Sequence, residues 1–250
     1  MAKEVCPSLP PRPLPPLVRW GMGVGIALFI VLVPFVYYRF SYSTHKRLRV
    51  VSAGKVYRSG CMTEAGFRDA VEKLGIRTVI NLQDEWPDPE ISRAYFSLGT
   101  VKESEMCKEL GVEYVFLPVD LIAPGDVPHK HPVAIDRFRA IMDDPASYPV
   151  LIHCRAGLHR TGCLSAVYRQ EYEGWTSEEA LAELKAHGFG EFVSSWANDY
   201  IMQYIVAYQP RPRGSDGALL AAPRRAVTAT PVSRTMDDYR RLPKGAEREP

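Results

Sequence analysis

A cysteine and an arginine separated by five residues give the clearest chemical signal in this chain of 250 residues. The segment from 153 to 162 reads His-Cys-Arg-Ala-Gly-Leu-His-Arg-Thr-Gly. It follows an apolar run ending at His153 and precedes an apolar-faced helical pattern beginning at Gly162. Loop amides, a helix N-terminus and a planar guanidinium together bind a phosphate dianion. We therefore predict that Cys154 attacks a phosphate held by this loop and by Arg160.

The residues of this segment divide into catalytic and binding roles. The loop amides, the helix dipole and Arg160 all stabilise negative charge on the sulfur of Cys154. Thr161 can donate a hydrogen bond to that sulfur as it leaves, and the side chain of His153 can fix the loop by bonding to backbone groups. Catalytic roles are thus expected for Cys154, Arg160 and Thr161. The residues expected to contact the substrate are His153, Arg155, Ala156, Gly157, Leu158 and His159.

The His-Cys-x5-Arg-Thr-Gly segment resembles the signature of the protein tyrosine phosphatase superfamily. The wider sequence resembles atypical dual-specificity phosphatases of the plant and fungal type and their bacterial relatives. The similar segments are 56–60, 74–82, 148–162 and 174–181, within a region of about residues 50–208. The resemblance implies a phosphocysteine intermediate. It also implies a substrate that is a phosphorylated protein (on tyrosine, serine or threonine) or a phosphorylated small molecule such as an inositol phosphate.

Three aspartates are candidates for the acid that protonates the leaving oxygen. The resemblance implies an acid some thirty residues before the cysteine. Asp120 meets this and follows a predicted strand, so it is the expected acid, with Asp126 as the alternative. Asp88 belongs to a Trp-Pro-Asp tripeptide that copies the acid loop of the tyrosine-specific branch. Because it lies much further from Cys154, we interpret that match as coincidental.

Short apolar runs alternate with helical patterns between about residues 44 and 209. Strands are expected at 78–82, 114–117 and 150–153, and helices from near Thr63 to Gly75, from about Pro132 to Met142, and from Thr176 to near Gly188. Such alternation predicts an α/β fold with a mostly parallel central sheet flanked by helices, the fold of the cysteine phosphatases.

An uncharged run at residues 21–38 follows a Pro-rich segment at 1–20, which is predicted to be extended and not helical. Aromatic residues stand at both ends of the run, and arginines flank it. It is just long enough to cross a bilayer and lacks a small-residue cleavage site, so we predict one transmembrane helix rather than a signal peptide. A slight excess of basic residues after the run, and the need for a reduced thiol, place the catalytic part in the cytoplasm.

Composition excludes several other classes. The net charge is only +2, without the basic excess expected of a nucleic-acid-binding domain. The five cysteines show neither disulfide nor metal-ligand spacing, so no metal or other cofactor is expected. Residues 210–250 are poor in large apolar residues and are predicted to be a disordered tail.

Two other functions compete with a phosphatase. The first is a catalytically inactive, membrane-tethered adaptor that binds phosphate, but the intact Cys154, Arg160 and Thr161 argue against it. The second is a rhodanese-like sulfurtransferase, which also places a cysteine before a helix. The Arg-Thr-Gly ending of the segment argues against that class.

Overall fold

The computed structural model describes residues 15–39, 44–83, 86–94, 97–119, 133–190 and 195–212. The chain divides into two compact units, Met1–Gln209 and Pro210–Pro250. Nearly all of the described residues belong to the first unit, and the predicted tail 210–250 lies almost entirely outside them. The helices and strands of the described residues all lie in the first unit.

The described residues form the strands β1 (Arg49–Ser52), β2 (Val56–Gly60), β3 (Thr78–Asn81), β4 (Glu90–Ser92), β5 (Thr100–Lys102), β6 (Glu113–Phe116) and β7 (Val150–Cys154). Five of them form the main sheet, in the order β1-β2-β7-β3-β6, and β4 and β5 form a separate hairpin. Strands β2, β7, β3 and β6 run parallel to one another, and β1 pairs antiparallel with β2 at one edge. This confirms the predicted mostly parallel sheet.

Helices cover both faces of the sheet. The helices are α1 (Pro16–Arg39), α2 (Glu64–Leu74), α3 (Glu103–Glu109), α4 (Val133–Met142), α5 (His159–Tyr168), α6 (Ser177–Ala186) and α7 (Ser195–Ala207), with a π-helical turn at Arg169–Glu173 extending α5. Neighbouring residues of a strand point to opposite faces. Accordingly Ile80 and Ile152 pack with α4 and α5, whereas Val79 and Leu151 pack with α2 and α3.

Local sequence signals set the ends of two helices where they were expected. Thr63 caps α2 by accepting a hydrogen bond from the amide of Gly66, and Gly75 ends it in the left-handed conformation. Thr176 and Glu179 form a capping box at the start of α6. These caps confirm the predicted boundaries. Each helix begins directly after its threonine because the threonine side chain accepts a hydrogen bond from an otherwise free amide of the first turn.

The N-terminal helix α1 is longer than the sequence predicted. It begins at Pro16, so residues 16–20, assigned above to an extended Pro-rich segment, are helical. Proline is well tolerated in the first turn because its missing N–H would have no partner there. Residues Pro16–Tyr38 are long and apolar enough to cross a membrane and are exposed throughout. A signal sequence can share these features.

Candidate active site

The loop of residues 154–160, called here the Cys154 loop, connects β7 to α5 at the carboxyl edge of the sheet. Cys154 ends β7 and pairs with Gly60 at the end of β2. On the other side, the amide of Leu82 donates to the carbonyl oxygen of His153 at 2.9 Å. The Cys154 loop therefore lies between the ends of β2 and β3, in the strand-to-helix position that the sequence predicted.

The thiol of Cys154 is buried and accepts a hydrogen bond from its own loop. The amide nitrogen of Gly157 lies 3.2 Å from Sγ. Gly157 has a φ of +74°, and a Cβ at this position would lie 2.5 Å from the amide nitrogen of Gly60. Only glycine combines that backbone conformation with so close an approach. Gly157 therefore allows the loop to fold back over the sulfur against β2.

The first turn of α5 has no side-chain cap. Leu158 occupies the N-cap position without a capping hydrogen bond. Free amides and the positive end of the helix dipole favour an anion here. Thr161, in the same turn, is fully buried, and its hydroxyl has no hydrogen-bond partner among the described residues. The start of α5 thus offers donors beside Cys154 that an anion can use.

The two arginines of the Cys154 loop differ in exposure. Arg160 is half-buried, and its Nη1 lies 3.4 Å from the carbonyl oxygen of Leu82, just beyond β3. Arg155 is exposed, and its guanidinium carbon lies 5.7 Å from the centre of the Trp86 ring. Trp86 therefore neighbours the loop, although sequence reasoning gave it no role.

The side chains of the two histidines of the motif contact other parts of the protein. Nε2 of His153 contacts the carboxylate of Glu103, and both side chains are buried. The ring of His159 packs edge-on against Phe189, with 5.5 Å between ring centroids. The expected contact of the His153 side chain with loop backbone is therefore replaced by a contact with α3. The carbonyl of His153 makes the backbone link to Leu82 instead.

Two arginines outside the motif bind the Cys154 loop. Nη1 of Arg47 donates to the carbonyl oxygen of Ala156 at 2.8 Å. Nη2 of Arg58 donates to the carbonyl oxygen of Gly157 at 2.9 Å. Neither was assigned a role from sequence, because their proximity to the loop depends on the pairing of β2 with β7. The Val56-Tyr-Arg-Ser-Gly60 similarity was the one signal available for Arg58.

The guanidinium of Arg58 is one of the most deeply buried charges in the described part of the chain. It is 2% exposed, and its Nη1 lies 3.2 Å from Nδ1 of His187. Burial lowers the pKa of Arg58 to about 10, an effect that the charge of Glu183 opposes. The group therefore remains cationic at neutral pH. Like Glu183, Cys154 opposes the effect of burial and raises the pKa of Arg58.

The other described cysteines are free and remain protonated at neutral pH. Burial and the nearby carboxylate of Glu103 raise the pKa of Cys61 to about 12. Burial alone raises the pKa of Cys163 to about 12. Burial also raises the pKa of Cys107, again with a contribution from Glu103. These three side chains are therefore poor nucleophiles.

The three candidate acids have different outcomes. Both carboxylate oxygens of Asp88 are bound to Ser104, one to its amide at 2.9 Å and the other to its hydroxyl at 2.8 Å. Asp88 therefore caps α3 and has a structural role that accounts for its presence. Asp120 and Asp126 lie outside the described residues. The last described residue before them is Val119, buried just past the carboxyl end of β6.

A comparison with family models identifies the chain. Residues 32–199 match the model described as DSP-PTPase phosphatase fused to NAD+ kinase. The chain belongs to this family. The match contains the sheet, the Cys154 loop, and both Arg47 and Arg58. It agrees with the resemblance to atypical dual-specificity phosphatases drawn above from the motifs.

Individual relatives are similar to this chain over part of their length. The dual specificity protein phosphatase TpbA of Pseudomonas aeruginosa (strain UCBPP-PA14) is 46% identical over 43 residues, 17% of this chain and 20% of TpbA. The inositol diphosphatase DSP3 of Arabidopsis thaliana is 29% identical over 128 residues, 51% of this chain and 56% of DSP3. The chain thus spans about half of the DSP3 sequence and a fifth of TpbA.

Solved structures give a weaker comparison. The core catalytic domain of the PP-IP phosphatase SIW14 from Saccharomyces cerevisiae, crystallised with citrate, aligns with a TM-score of 0.47 at 20% identity. The alignment covers 64% of this chain and 87% of that domain.

Proposed function

We propose that this chain hydrolyses phosphate monoesters through a phosphocysteine on Cys154. The thiolate attacks phosphorus while the bond from phosphorus to the leaving oxygen breaks, and that oxygen takes a proton from Asp120. Water then attacks the phosphocysteine, giving its proton to the carboxylate. The sulfur–phosphorus bond breaks, and the sulfur leaves as a thiolate next to the Thr161 hydroxyl.

The observation that carries this proposal is the hydrogen bond from the Gly157 amide to Sγ of Cys154 at 3.2 Å. A loop that directs an amide at the sulfur also presents amides to a phosphate bound in line with it. The uncapped first turn of α5 adds further donors. Arg160 supplies the bidentate cation for the equatorial oxygens, whose charge grows as the reaction proceeds.

The proposed substrates are phosphorylated proteins or phosphorylated small molecules. Several similar proteins are named inositol diphosphatases, such as DSP3 of Arabidopsis thaliana, and TpbA is named a dual specificity protein phosphatase. The Cys154 loop contributes two uncharged side chains, Ala156 and Leu158, where a strongly basic loop would suit a highly phosphorylated ligand. The proposed substrates therefore include phosphoproteins and simple phosphate monoesters as well as inositol phosphates.

We further propose that helix α1 anchors residues 44–209, as the catalytic domain, to the cytoplasmic face of a membrane. The helix has no charged side chain between Arg19 and Arg39, and its apolar residues are exposed to solvent. An apolar surface of this size is stable in contact with lipid. Retention of the full chain in carbonate-washed membranes, with an intact N-terminus by mass spectrometry, supports anchoring. Release of a shortened chain identifies a signal sequence instead.

The enzymatic proposal is tested with the full chain in detergent. Phosphate release is measured on an aryl phosphate, phosphotyrosine and phosphoserine peptides, a phosphoinositide and an inositol phosphate. Replacement of Cys154 by Ser is expected to lower kcat by about a thousandfold or more, because the hydroxyl is a far weaker nucleophile. Cys163→Ala, which removes a buried thiol from α5 and leaves Cys154 in place, is the matched control. Equal rates for wild type and Cys154→Ser on every substrate would leave only a phosphate-binding adaptor.

A further inference from the structure

The side chain of Arg47 and the sulfur of Cys154 bind opposite sides of one peptide unit. Arg47 donates to the carbonyl oxygen of Ala156 at 2.8 Å, while the amide nitrogen of Gly157 donates to Sγ at 3.2 Å. That carbonyl and that amide belong to the same planar group, and in a trans peptide they point in opposite directions. Holding the oxygen away from the sulfur therefore directs the N–H toward it.

The next peptide unit is held in the same way. Arg58 donates to the carbonyl oxygen of Gly157 at 2.9 Å, and the amide of Leu158 is on the opposite side of that group. Leu158 is the N-cap residue of α5. Its amide thus joins the donors available at the helix start. A second bond, to Nδ1 of His187 at 3.2 Å, fixes the other arm of the guanidinium.

A third carbonyl completes the pattern with a backbone donor. The amide of Cys61, just past β2, lies 3.2 Å from the carbonyl oxygen of Arg155. The amide of Ala156 is the other half of that peptide unit. Three consecutive carbonyls of the Cys154 loop are therefore bound from outside, and two of the three donors are guanidinium groups.

Arg47 reaches the Cys154 loop from a turn with an unusual backbone. Lys46 and Arg47 have φ values of 25° and 59°, which L-residues rarely adopt. The carbonyl oxygen of Lys46 accepts the amide of Gly60 at 2.7 Å, and the amide of Leu48 donates to the carbonyl oxygen of His45 at 2.9 Å. Such a conformation persists where surrounding contacts hold it, and it is common near functional sites.

We propose that Arg47 and Arg58 are positioning residues, which hold the carbonyls of Ala156 and Gly157 outward so that the amides of Gly157 and Leu158 face the bound phosphate. The proposal rests on the proposed phosphatase function only for its kinetic consequences. Arg47 acts from the segment between α1 and β1, so the anion-binding loop depends on residues that precede the sheet. Neither arginine needs to touch the substrate for this role.

The test compares four variants of the full chain in detergent: Arg47→Ala, Arg47→Lys, Arg58→Lys and Arg49→Ala. Arg49→Ala removes the same charge two residues further along and is the matched control, because Arg49 makes no hydrogen bond to the Cys154 loop within the described residues. Two kinds of measurement are made. Steady-state kinetics on an aryl phosphate give kcat and KM, and calorimetry gives the affinity for inorganic phosphate, which needs no catalysis.

For Arg47→Ala we expect kcat/KM and phosphate affinity each to fall about tenfold, the loss typical of one charge-assisted hydrogen bond. Arg47→Lys should recover part of both, and Arg49→Ala should change neither by more than about twofold. Arg58→Lys keeps the buried charge but not the fork, and should lower phosphate affinity by a similar factor.

Unchanged phosphate affinity in both Arg47→Ala and Arg58→Lys would overturn the positioning role. An equal loss of phosphate affinity in Arg49→Ala would also overturn it, because the net charge of the protein would then account for the effect. If circular dichroism shows that Arg58→Lys does not fold, the comparison of Arg47→Ala with Arg47→Lys decides the proposal. If wild type binds phosphate but releases none from any ester, the proposed function fails, and the binding measurements still decide the role of the two arginines.

Discussion

Both carboxylate oxygens of Asp88 are bound to Ser104, at 2.9 Å to its amide and 2.8 Å to its hydroxyl. This arrangement caps the first turn of α3, and each oxygen of the Asp88 carboxylate accepts a hydrogen bond from Ser104. We therefore predict that Asp88→Asn lowers the free energy of unfolding by about 1 kcal/mol, the usual cost of a weakened helix cap. Its kcat on aryl phosphates should stay within about twofold of wild type. Urea unfolding and steady-state kinetics measure the two effects, with Ser104→Ala as the companion variant. A large fall in kcat without loss of stability would make Asp88 the acid.

Asp120 is predicted to be the acid that protonates the leaving oxygen. For Asp120→Asn we expect kcat to fall about a hundredfold on a phosphate ester with a poor leaving group, because general acids contribute factors of this size. An ester with a good leaving group needs little protonation and should be hydrolysed at nearly the wild-type rate. Asp126→Asn is the matched comparison. If Asp126→Asn alone shows this dependence on the leaving group, the acid is Asp126.

Gly157 combines a left-handed backbone with close contact to β2, whereas Gly54 has a similar φ of +71° and open space around it. Alanine at either position adds backbone strain of about 1 kcal/mol. Only at Gly157 would the new Cβ approach a backbone nitrogen to 2.5 Å, which forces the Cys154 loop to move. We predict that Gly157→Ala weakens inorganic phosphate binding by at least about tenfold and Gly54→Ala leaves it unchanged. Calorimetric titration measures the phosphate affinity of both variants. Equal affinities in the two variants would show that the Cys154 loop accommodates the added Cβ at position 157.

Glu103 and His153 form a buried contact between the start of α3 and the end of β7. Removing one partner leaves a buried polar group unpaired, so Glu103→Ala should lower the free energy of unfolding by about 2 kcal/mol or more. Glu105 is exposed in the same helix, and Glu105→Ala should cost less than about 0.5 kcal/mol. Urea denaturation of both variants measures the difference. Equal stabilities would mean that water replaces the lost carboxylate without cost.

Nδ1 of His187 accepts a hydrogen bond from Nη1 of Arg58 at 3.2 Å, and the His187 side chain is half-buried. Burial lowers the pKa of His187, and the charges of Arg58, Arg49 and Arg169 lower it further, while Glu183 opposes them. The unfolded chain therefore takes up this proton first, near pH 6.5, as the pH falls. The stabilising contribution of neutral His187 is complete above that pH and is lost as the pH falls through the lowered pKa.

We accordingly predict that wild type loses more stability between pH 7.5 and pH 5.5 than His187→Gln does. Glutamine retains a neutral acceptor for Arg58 but cannot titrate. Urea unfolding of both proteins at the two pH values isolates the contribution of this side chain. Identical losses in the two proteins would show that other groups control the pH dependence.

The sequence alone determined the parts of the protein that depend on neighbours along the chain. The spacing of Cys154 and Arg160, the apolar runs before and after them, and the capping residues Thr63 and Thr176 act within a few residues. They predicted the strand–loop–helix unit, the boundaries of α2 and α6, and the α/β class. These predictions held because local hydrogen bonds and the periodicity of buried side chains decide secondary structure.

Only the tertiary structure decided which distant groups meet the Cys154 loop. Arg47 and Arg58 are 109 and 99 residues from the loop carbonyls that they bind, and Glu103 is about 50 residues from His153, which directly precedes the loop. Only the pairing of β2 and β3 with β7, and the packing around that sheet, bring these groups together. Packing also brings Asp88 to the first turn of α3, a role that the tripeptide Trp-Pro-Asp did not predict. Sequence spacing specifies the reacting groups of this protein, whereas sheet order specifies the donors that orient them, because parallel strands join residues that the chain itself keeps far apart.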